Sequence, residues 1–316
     1  MSAMTSAKKR HTDTAATRRS LKRKVITALL RWYRKNGRQL PWRNETDPYR
    51  VLISEVMLQQ TQVSRVQSKY PEFLKKFPTF RKLASAGTSE AIRAWSGMGY
   101  NNRVLRLRNL AQTVLREFGG ELPSDVERLN MLPGVGRYTA NAVACFAFGE
   151  QVPVVDTNVV RIFGRLYPKR MAGLPPKAQL VWEFAQEHLP RSAAQDWNQA
   201  LMDLGATVCT ASRPRCEVCP LERFCPTAHA VPRRVVRRPN AEPGRRGIPN
   251  RIYRGRAIEI LRSLEPGASM SSSSLGRKVV ADFSRDDQTW FRSLLRRLER
   301  DGMVRLHGLG RISLPD

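Results

Sequence analysis

The chain has 316 residues, 55 Lys/Arg against 27 Asp/Glu, and a formal net charge of +28. That length supports two or three domains with their own cores. The basic balance favours a polyanionic partner, because each phosphate neutralised releases counterions. No apolar run approaches the roughly 20 residues needed to cross a bilayer as a helix, so no membrane partner is expected.

The charge is uneven along the chain. Residues 1–40 carry 12 Lys/Arg against one acid, and residues 231–316 carry 19 against 9, which leaves a net +7 for the 190 residues between. Basic ends around a nearly balanced body suit a nucleic acid; the competing explanation is a generally arginine-rich proteome. The Ser/Thr/Arg-rich, acid-poor start reads either as a basic disordered tail over residues 1–20 or as a mitochondrial transit peptide. An amphipathic helix is predicted from Leu21 to Lys35. Next, Pro48 to Val63 (PYRVLISEVMLQQTQV) reads as one helix, apolar on nearly every side from Val51 to Leu58. Glu55 lies in its middle, with Val51, Leu52, Leu58 and Gln59 as its three- and four-residue neighbours. A carboxylate so placed is expensive to ionise, and its pKa is expected to rise; the alternative is a Glu55 that reaches solvent through a gap in the apolar face.

Ser124-Asp125-Val126-Glu127 reads as a capping box that opens a further helix. Pro133 ends that helix, and Gly134 and Gly136 are expected to supply the dihedrals of a tight turn. Arg137 to Phe148 then forms a small-residue helix stopped by Gly149. A glycine hairpin at a helix N-terminus presents N–H groups and a positive dipole end, which suits a phosphate. Such a turn alone is weak evidence, since many bundles join helices this way. Twenty residues past Gly136, the apolar run Val152 to Val155 delivers Asp156 to a helix start at Thr157-Asn158. Four of the five cysteines follow as Cys209, Cys216, Cys219 and Cys225. By spacing alone, four thiols on a short loop accommodate zinc or an iron–sulfur cluster, with the cluster modestly preferred because only one C-x-x-C is present. Cys145 reads as a core residue.

Residues 232–250 are Pro/Gly/Arg-rich and read as a basic linker. Beyond it, helices are predicted at Arg254–Leu264, Ser274–Ala281 and Asp286–Asp301, then a β-hairpin from Met303 to Leu314 turning at Gly308-Leu309-Gly310. No sheet is expected before residue 300. Three helices and a wing suggest a winged-helix module over 251–316, with Arg292, Arg296, Arg297 and Arg300 on or near its recognition helix; a helical cap with a solvated basic face is the alternative.

The hairpin and the aspartate spaced behind it resemble the helix-hairpin-helix/Gly-Pro-Asp superfamily of DNA glycosylases, and the cysteine spacing resembles its endonuclease III-like branch. Within it, SEVMLQQTQV (Ser54 to Val63) closely resembles the A/G-specific adenine DNA glycosylases of MutY type. The match runs from about Leu40 to Cys225 through LPWR, WSGMGY (Trp95 to Tyr100), LPGVGRYTA, VDTN and MDLGATVC. The resemblance implies a mostly α fold: a six-helix barrel domain over 48–158, a helical cluster domain formed by 21–47 and 159–231, and a cleft between them carrying Glu55, Tyr138 and Asp156. It implies a 4Fe-4S cluster on the four cysteines and a double-stranded DNA partner with mismatched or oxidised pairs, bound by a monomer. By the same resemblance, Glu55 protonates N7 of a flipped adenine and later activates water, Asp156 stabilises the cationic sugar, and Asn158 helps hold the site. Gln60, Thr61 and Tyr100 match residues that insert near the oxidised guanine or its neighbours; ordinary surface polar groups or core packing are the alternative. Gly134, Gly136 and Arg137, together with Arg213 and Arg215 on the cluster loop, match DNA-backbone contacts.

Tyr138 occupies the position that is lysine in the lyase branch, where an amine attacks the sugar. A phenol forms no imine, so base removal without strand cleavage is expected. The chain departs from the MutY type in lacking room for the usual C-terminal Nudix-like domain, which puts discrimination of 8-oxoguanine from guanine in question. Two competing readings remain: a T/G or U/G mismatch glycosylase of the same superfamily, and a non-catalytic DNA-binding protein. The expected location is cytoplasmic and nucleoid-associated in a bacterium, nuclear or mitochondrial in a eukaryote.

Overall fold

The computed structural model describes residues 15–230 and 242–316. Residues 1–14 of the expected basic tail and 231–241 of the expected linker lie outside them. In chain order the helices are α1 (Ala15–Asn36), α2 (Pro48–Leu58), α3 (Val63–Lys76), α4 (Phe80–Ser85), α5 (Thr88–Ala94), α6 (Asn102–Phe118), α7 (Val126–Met131), α8 (Arg137–Phe148), α9 (Thr157–Leu166), α10 (Pro168–Met171), α11 (Gln179–His188), α12 (Ala194–Thr207), α13 (Asn250–Arg262), α14 (Ser272–Val279) and α15 (Gln288–Arg300). The strands are β1 (Gly244–Arg245), β2 (Ile248–Pro249), β3 (Met270–Ser271), β4 (Arg305–His307) and β5 (Arg311–Ser313).

The described chain divides into two compact units, one of residues 15–38 and 151–230, the other of 39–150 and 242–316. The boundaries differ from the expected ones. Asp156 and Asn158 fall with the cysteine loop rather than with the Glu55 helices, and the C-terminal segment groups with residues 39–150.

In the first unit, α1 packs on α12 and is fixed by polar side chains. Tyr33 Oη donates to Gln199 Oε1 at 2.5 Å. The backbone N–H and Nε of Arg38 donate to the two carboxylate oxygens of the fully buried Asp203 at 2.9 and 2.8 Å. The α9 stripe Val159, Ile162, Phe163 and Leu166 is buried at three- and four-residue spacing, the pattern of a helix with one core face. Phe163 meets Phe184 edge-on, and the His188 ring stacks on Phe184 with centroids 4.0 Å apart.

In the second unit, α3 buries Val66, Tyr70 and Phe73, and α6 buries Arg103, Val104, Leu107, Leu110, Ala111 and Val114. A cation on an otherwise apolar stripe is exceptional, and Arg103 proves central to the site. The single helix expected over Pro48–Val63 is broken: α2 stops at Leu58, Gln60 has φ +54°, and α3 starts at Val63. The capping box expected at Ser124 is also replaced. Asp125 caps α7, its carboxylate accepting from Arg128 N at 2.8 Å.

Residues 250–316 form the predicted three helices and hairpin, with one addition. β3 joins β4 and β5 in a three-stranded antiparallel sheet of order β3-β5-β4, with Met270 and Leu306 both opposite Ile312. The order helix, strand, helix, helix, strand, turn, strand is that of a winged helix. A second correction to the expected absence of sheet before residue 300 lies in the linker, where β1 and β2 form a small hairpin. The buried Asp287 carboxylate pairs with Arg245 and, at 3.1 Å, with Arg246, fastening that hairpin beside the start of α15.

Candidate active site and cysteine loop

The local sequence explains where Glu55 sits. Asp47 caps α2 by accepting from Tyr49 N at 2.8 Å, Pro48 supplies the preset first-turn φ, and the run Val51–Met57 is buried. Glu55 is only 5% exposed, so it does not reach solvent through a gap in the apolar face. Its Oε2 accepts a hydrogen bond of 2.8 Å from Tyr138 Oη in the first turn of α8. The structure thus places these two sequence-chosen residues in direct contact.

The hairpin before α8 is tighter at one glycine than expected. Gly134 has φ +81°, and a Cβ there would stand 3.3 Å from Arg106 Cβ. Gly136, at φ −102°, is extended backbone, so of the two glycines expected to shape the tight turn only Gly134 takes the left-handed conformation. α7 ends at Met131, and Leu132 takes the extended geometry required before Pro133. No side chain caps the N-terminus of α8, and Gly134, Gly136 and Arg137 are exposed there. α8 runs over the predicted span to the left-handed Gly149, with Cys145 fully buried.

Gln60, Thr61 and Tyr100 come together around Arg103, a residue that sequence reasoning missed. The Arg103 guanidinium donates from Nη1 to the carbonyls of Val56, Met57 and Gln59 at 2.7–2.9 Å. From Nη2 it donates to Thr61 Oγ1 and to the carbonyls of Met98 and Gly99 at 2.9–3.1 Å. It also lies 5.2 Å from the Trp95 ring centroid. Burial pulls its pKa down to about 10. One cation therefore ends the Glu55 helix and ties it to the WSGMGY turn. On either side of it, Gln60 and Tyr100 hold φ of +54° and +43° and are exposed; non-glycine residues in this region carry strain of order 1 kcal/mol or more.

In the other unit, Asp156 caps α9. Its Oδ1 accepts from Val159 N at 2.8 Å and its Oδ2 from Asn158 Nδ2 at 2.6 Å. Asn198 grips the approaching segment, accepting from Val154 N and donating to Val152 O, each at 3.0 Å. Arg161, also unforeseen, continues the chain of bonds: it donates to Asn158 Oδ1 and Gly205 O at 2.8 Å and to Cys209 O at 2.9 Å. The Asp156 carboxylate is thus joined through Asn158 and Arg161 to the first cysteine of the loop. Gly205 makes room for this, since a Cβ there would lie 2.5 Å from Asn158 Cβ.

Cys209, Cys216, Cys219 and Cys225 line one hollow together with Arg165, Val208 and Pro214. Burial, then the three neighbouring thiols, pushes Cys219 up to about 11. Arg165 Nη1 donates to Cys209 Sγ at 3.1 Å. Among the described residues no three His, Cys, Asp or Glu side chains converge on a point that one metal ion could fill. Four thiols ranged around one hollow suit a polynuclear cluster, each iron taking one thiolate. Both loop arginines are exposed, and Arg215 Nη2 donates back to Thr207 O at 2.6 Å.

With this geometry in place, comparison with known proteins is specific. The pattern of the HhH-GPD superfamily of base excision DNA repair proteins matches residues 53–204, and that of the iron–sulfur binding domain of endonuclease III matches residues 209–225. The cysteine loop therefore holds a 4Fe-4S cluster. An adenine DNA glycosylase of Mycobacterium tuberculosis is 39% identical over 296 residues, covering 92% of this chain and 93% of that protein. The human adenine DNA glycosylase is 44% identical over 211 residues, covering 63% of this chain and 38% of that longer protein. A solved thermostable thymine-DNA glycosylase superposes with a TM-score of 0.66 at 30% identity, covering 68% of this chain and all of that one.

Proposed function

The chain belongs to the adenine DNA glycosylases of the HhH-GPD superfamily, and we propose that it hydrolyses the N-glycosidic bond of adenine mispaired with 8-oxoguanine or guanine in duplex DNA. The scissile bond is shielded in a stacked duplex, so the adenine is first extruded. Glu55 is the general acid: it delivers a proton to N7 of the flipped base, which makes the base a neutral leaving group. Once the base departs, the Glu55 carboxylate accepts a proton from the attacking water. Asp156 remains anionic and stabilises the oxocarbenium-like sugar, a division of labour shared with other glycoside-cleaving enzymes. Asn158 keeps the Asp156 carboxylate oriented. The Tyr138 hydroxyl fixes one Glu55 oxygen and, lacking an amine, forms no Schiff base, so the product is an abasic site in an intact strand.

Gln60, Thr61 and Tyr100 face the opposing guanine, while Gly134, Gly136, Arg137 and Arg213 take backbone phosphates. Cys209, Cys216, Cys219 and Cys225 would hold the cluster, which would brace their loop; the acid–base steps are carried by side chains of the chain itself. The observation that best supports this reading is the 2.8 Å bond between Tyr138 Oη and the buried Glu55 carboxylate.

The deciding experiment is base release from a panel of mispaired duplexes, with and without alkaline cleavage of the product. Adenine release opposite 8-oxoguanine or guanine, with strand breaks only after alkali, is expected. Thymine or uracil release from T/G or U/G pairs would shift the reading to the chemistry of the thymine-DNA glycosylase it resembles. Tight binding without release of any base would make it a binding protein.

A further inference from the structure

We propose that residues 250–316 are a second duplex-binding surface, in which α15 presents Arg292, Arg296 and Arg300 to the phosphates of DNA flanking the mispair. The fold of this segment supplies the first argument. Burial of Phe291, Leu294, Leu295 and Leu298 fixes one face of α15 inward. The arginines at 292, 296 and 300 follow at four-residue steps and are exposed, so they form one line about 12 Å long.

Charge partners supply the second. Several arginines of residues 242–316 serve that segment's own structure: Arg245 and Arg246 hold Asp287, Arg251 and Arg254 hold Glu242, and Arg305 pairs with Asp316. On α15, Arg297 lies 3.8 Å from Asp301, and Glu299 is engaged by the backbone N–H of Leu306. Arg292, Arg296 and Arg300 have no ion pair among the described residues. Three aligned cations without carboxylates match a polyanion carrying one charge per ~1.7 Å of axis, and the recognition helix of a winged helix is the element that enters a groove.

The attachment of the module supplies the third. Arg262, the last residue of α13, is buried; it donates to Ile92 O at 2.8 Å and to Asn101 Oδ1 at 2.9 Å, and its own carbonyl accepts from Arg93. Ser96 Oγ donates to Glu259 at 3.1 Å. The module is therefore fastened to the residue beside Tyr100. Binding to duplex follows from α15 alone; its placement on the flank of the mispair rests on the glycosylase reading.

The test uses the full chain with its cluster and the triple variant Arg292→Glu/Arg296→Glu/Arg300→Glu. On an undamaged duplex of about 30 bp, the variant is expected to lower the log–log salt slope of binding by about 2–3, one phosphate being worth ~0.9. On a mispaired duplex of about one turn, ~10 bp, the two proteins are expected to bind alike. Single-turnover base release at saturating protein stays at the wild-type rate. An unchanged slope on the long duplex overturns the surface, and equal losses on both lengths overturn its flanking position. Should the reversed charges lower the melting temperature, the Arg→Gln triple variant carries the same expectation. A wild-type chain that releases no base but loses slope in the variant fails the glycosylase reading and keeps this one.

Discussion

Replacing Arg103 by leucine isolates the device that shapes the site. The change removes six hydrogen bonds of 3.1 Å or shorter, made to the end of α2, the Gln59–Thr61 segment and the Met98–Gly99 turn. Each buried acceptor left bare costs about 1 kcal/mol or more, which places the gross loss near 6 kcal/mol. Against it stands relief of the burial that draws Arg103 from 12.5 to about 10, worth ~3 kcal/mol against the charged form. A net destabilisation of about 3 kcal/mol is expected, or about 6–12 °C in the melting temperature of a domain this size. The freed Gln60 and Tyr100 relax from their left-handed conformations, so affinity for mispaired duplex falls more than affinity for undamaged duplex. Lysine, with three donors in place of a planar fork, restores only part of both. Calorimetry and fluorescence anisotropy on the two duplexes read these effects. An Arg103→Leu chain with unchanged melting temperature and unchanged discrimination would refute the argument.

Other outcomes follow from the same contacts. Gly205→Ala places a methyl 2.5 Å from Asn158 Cβ, so Asn158 must move; a loss of about 1–3 kcal/mol and slowed base release are expected, and a wild-type rate in single turnover counts against the role given to Asn158. His188 has a pKa lowered from 6.5, by burial first of all. The unfolded chain thus takes up this proton at higher pH than the folded one, and stability is lost as pH falls below about 6.5; in melting curves from pH 7.5 to 5, His188→Leu should flatten that decline. Cys219→Ser removes one of the four thiols around the cluster hollow, so the visible iron–sulfur absorption should be lost together with the thermal stability of that unit, and full retention of both would argue against thiolate ligation there.

What the sequence made legible was mostly local. Helix α8 was readable end to end because Gly149 stops it, and Asp156 because an apolar run delivers it to a cap position. The burial of Glu55 followed from its three- and four-residue neighbours. The break between α2 and α3 was not readable, since QQTQ contains neither glycine nor proline; it is imposed by Arg103, 44 residues beyond Gln59. A signal was nonetheless present: Arg103 precedes Leu107, Leu110 and Val114 on the buried stripe of α6, where a cation needs a reason. Arg161 and Gly205 escaped for the same cause: the Gly205 and Cys209 carbonyls that Arg161 binds lie 44 and 48 residues from it in sequence. Strand β3 spans two residues and exists only through pairing with Ile312 and Arg311, beyond the reach of any local pattern.

The central claim is that Glu55 gives a proton to the departing adenine. Glu55→Gln keeps the shape and an acceptor for Tyr138 Oη while removing that proton, so single-turnover adenine release from a duplex with adenine opposite 8-oxoguanine tests it most directly. A rate at least ~100-fold below wild type, with duplex affinity retained, is expected; release at the wild-type rate would contradict the account.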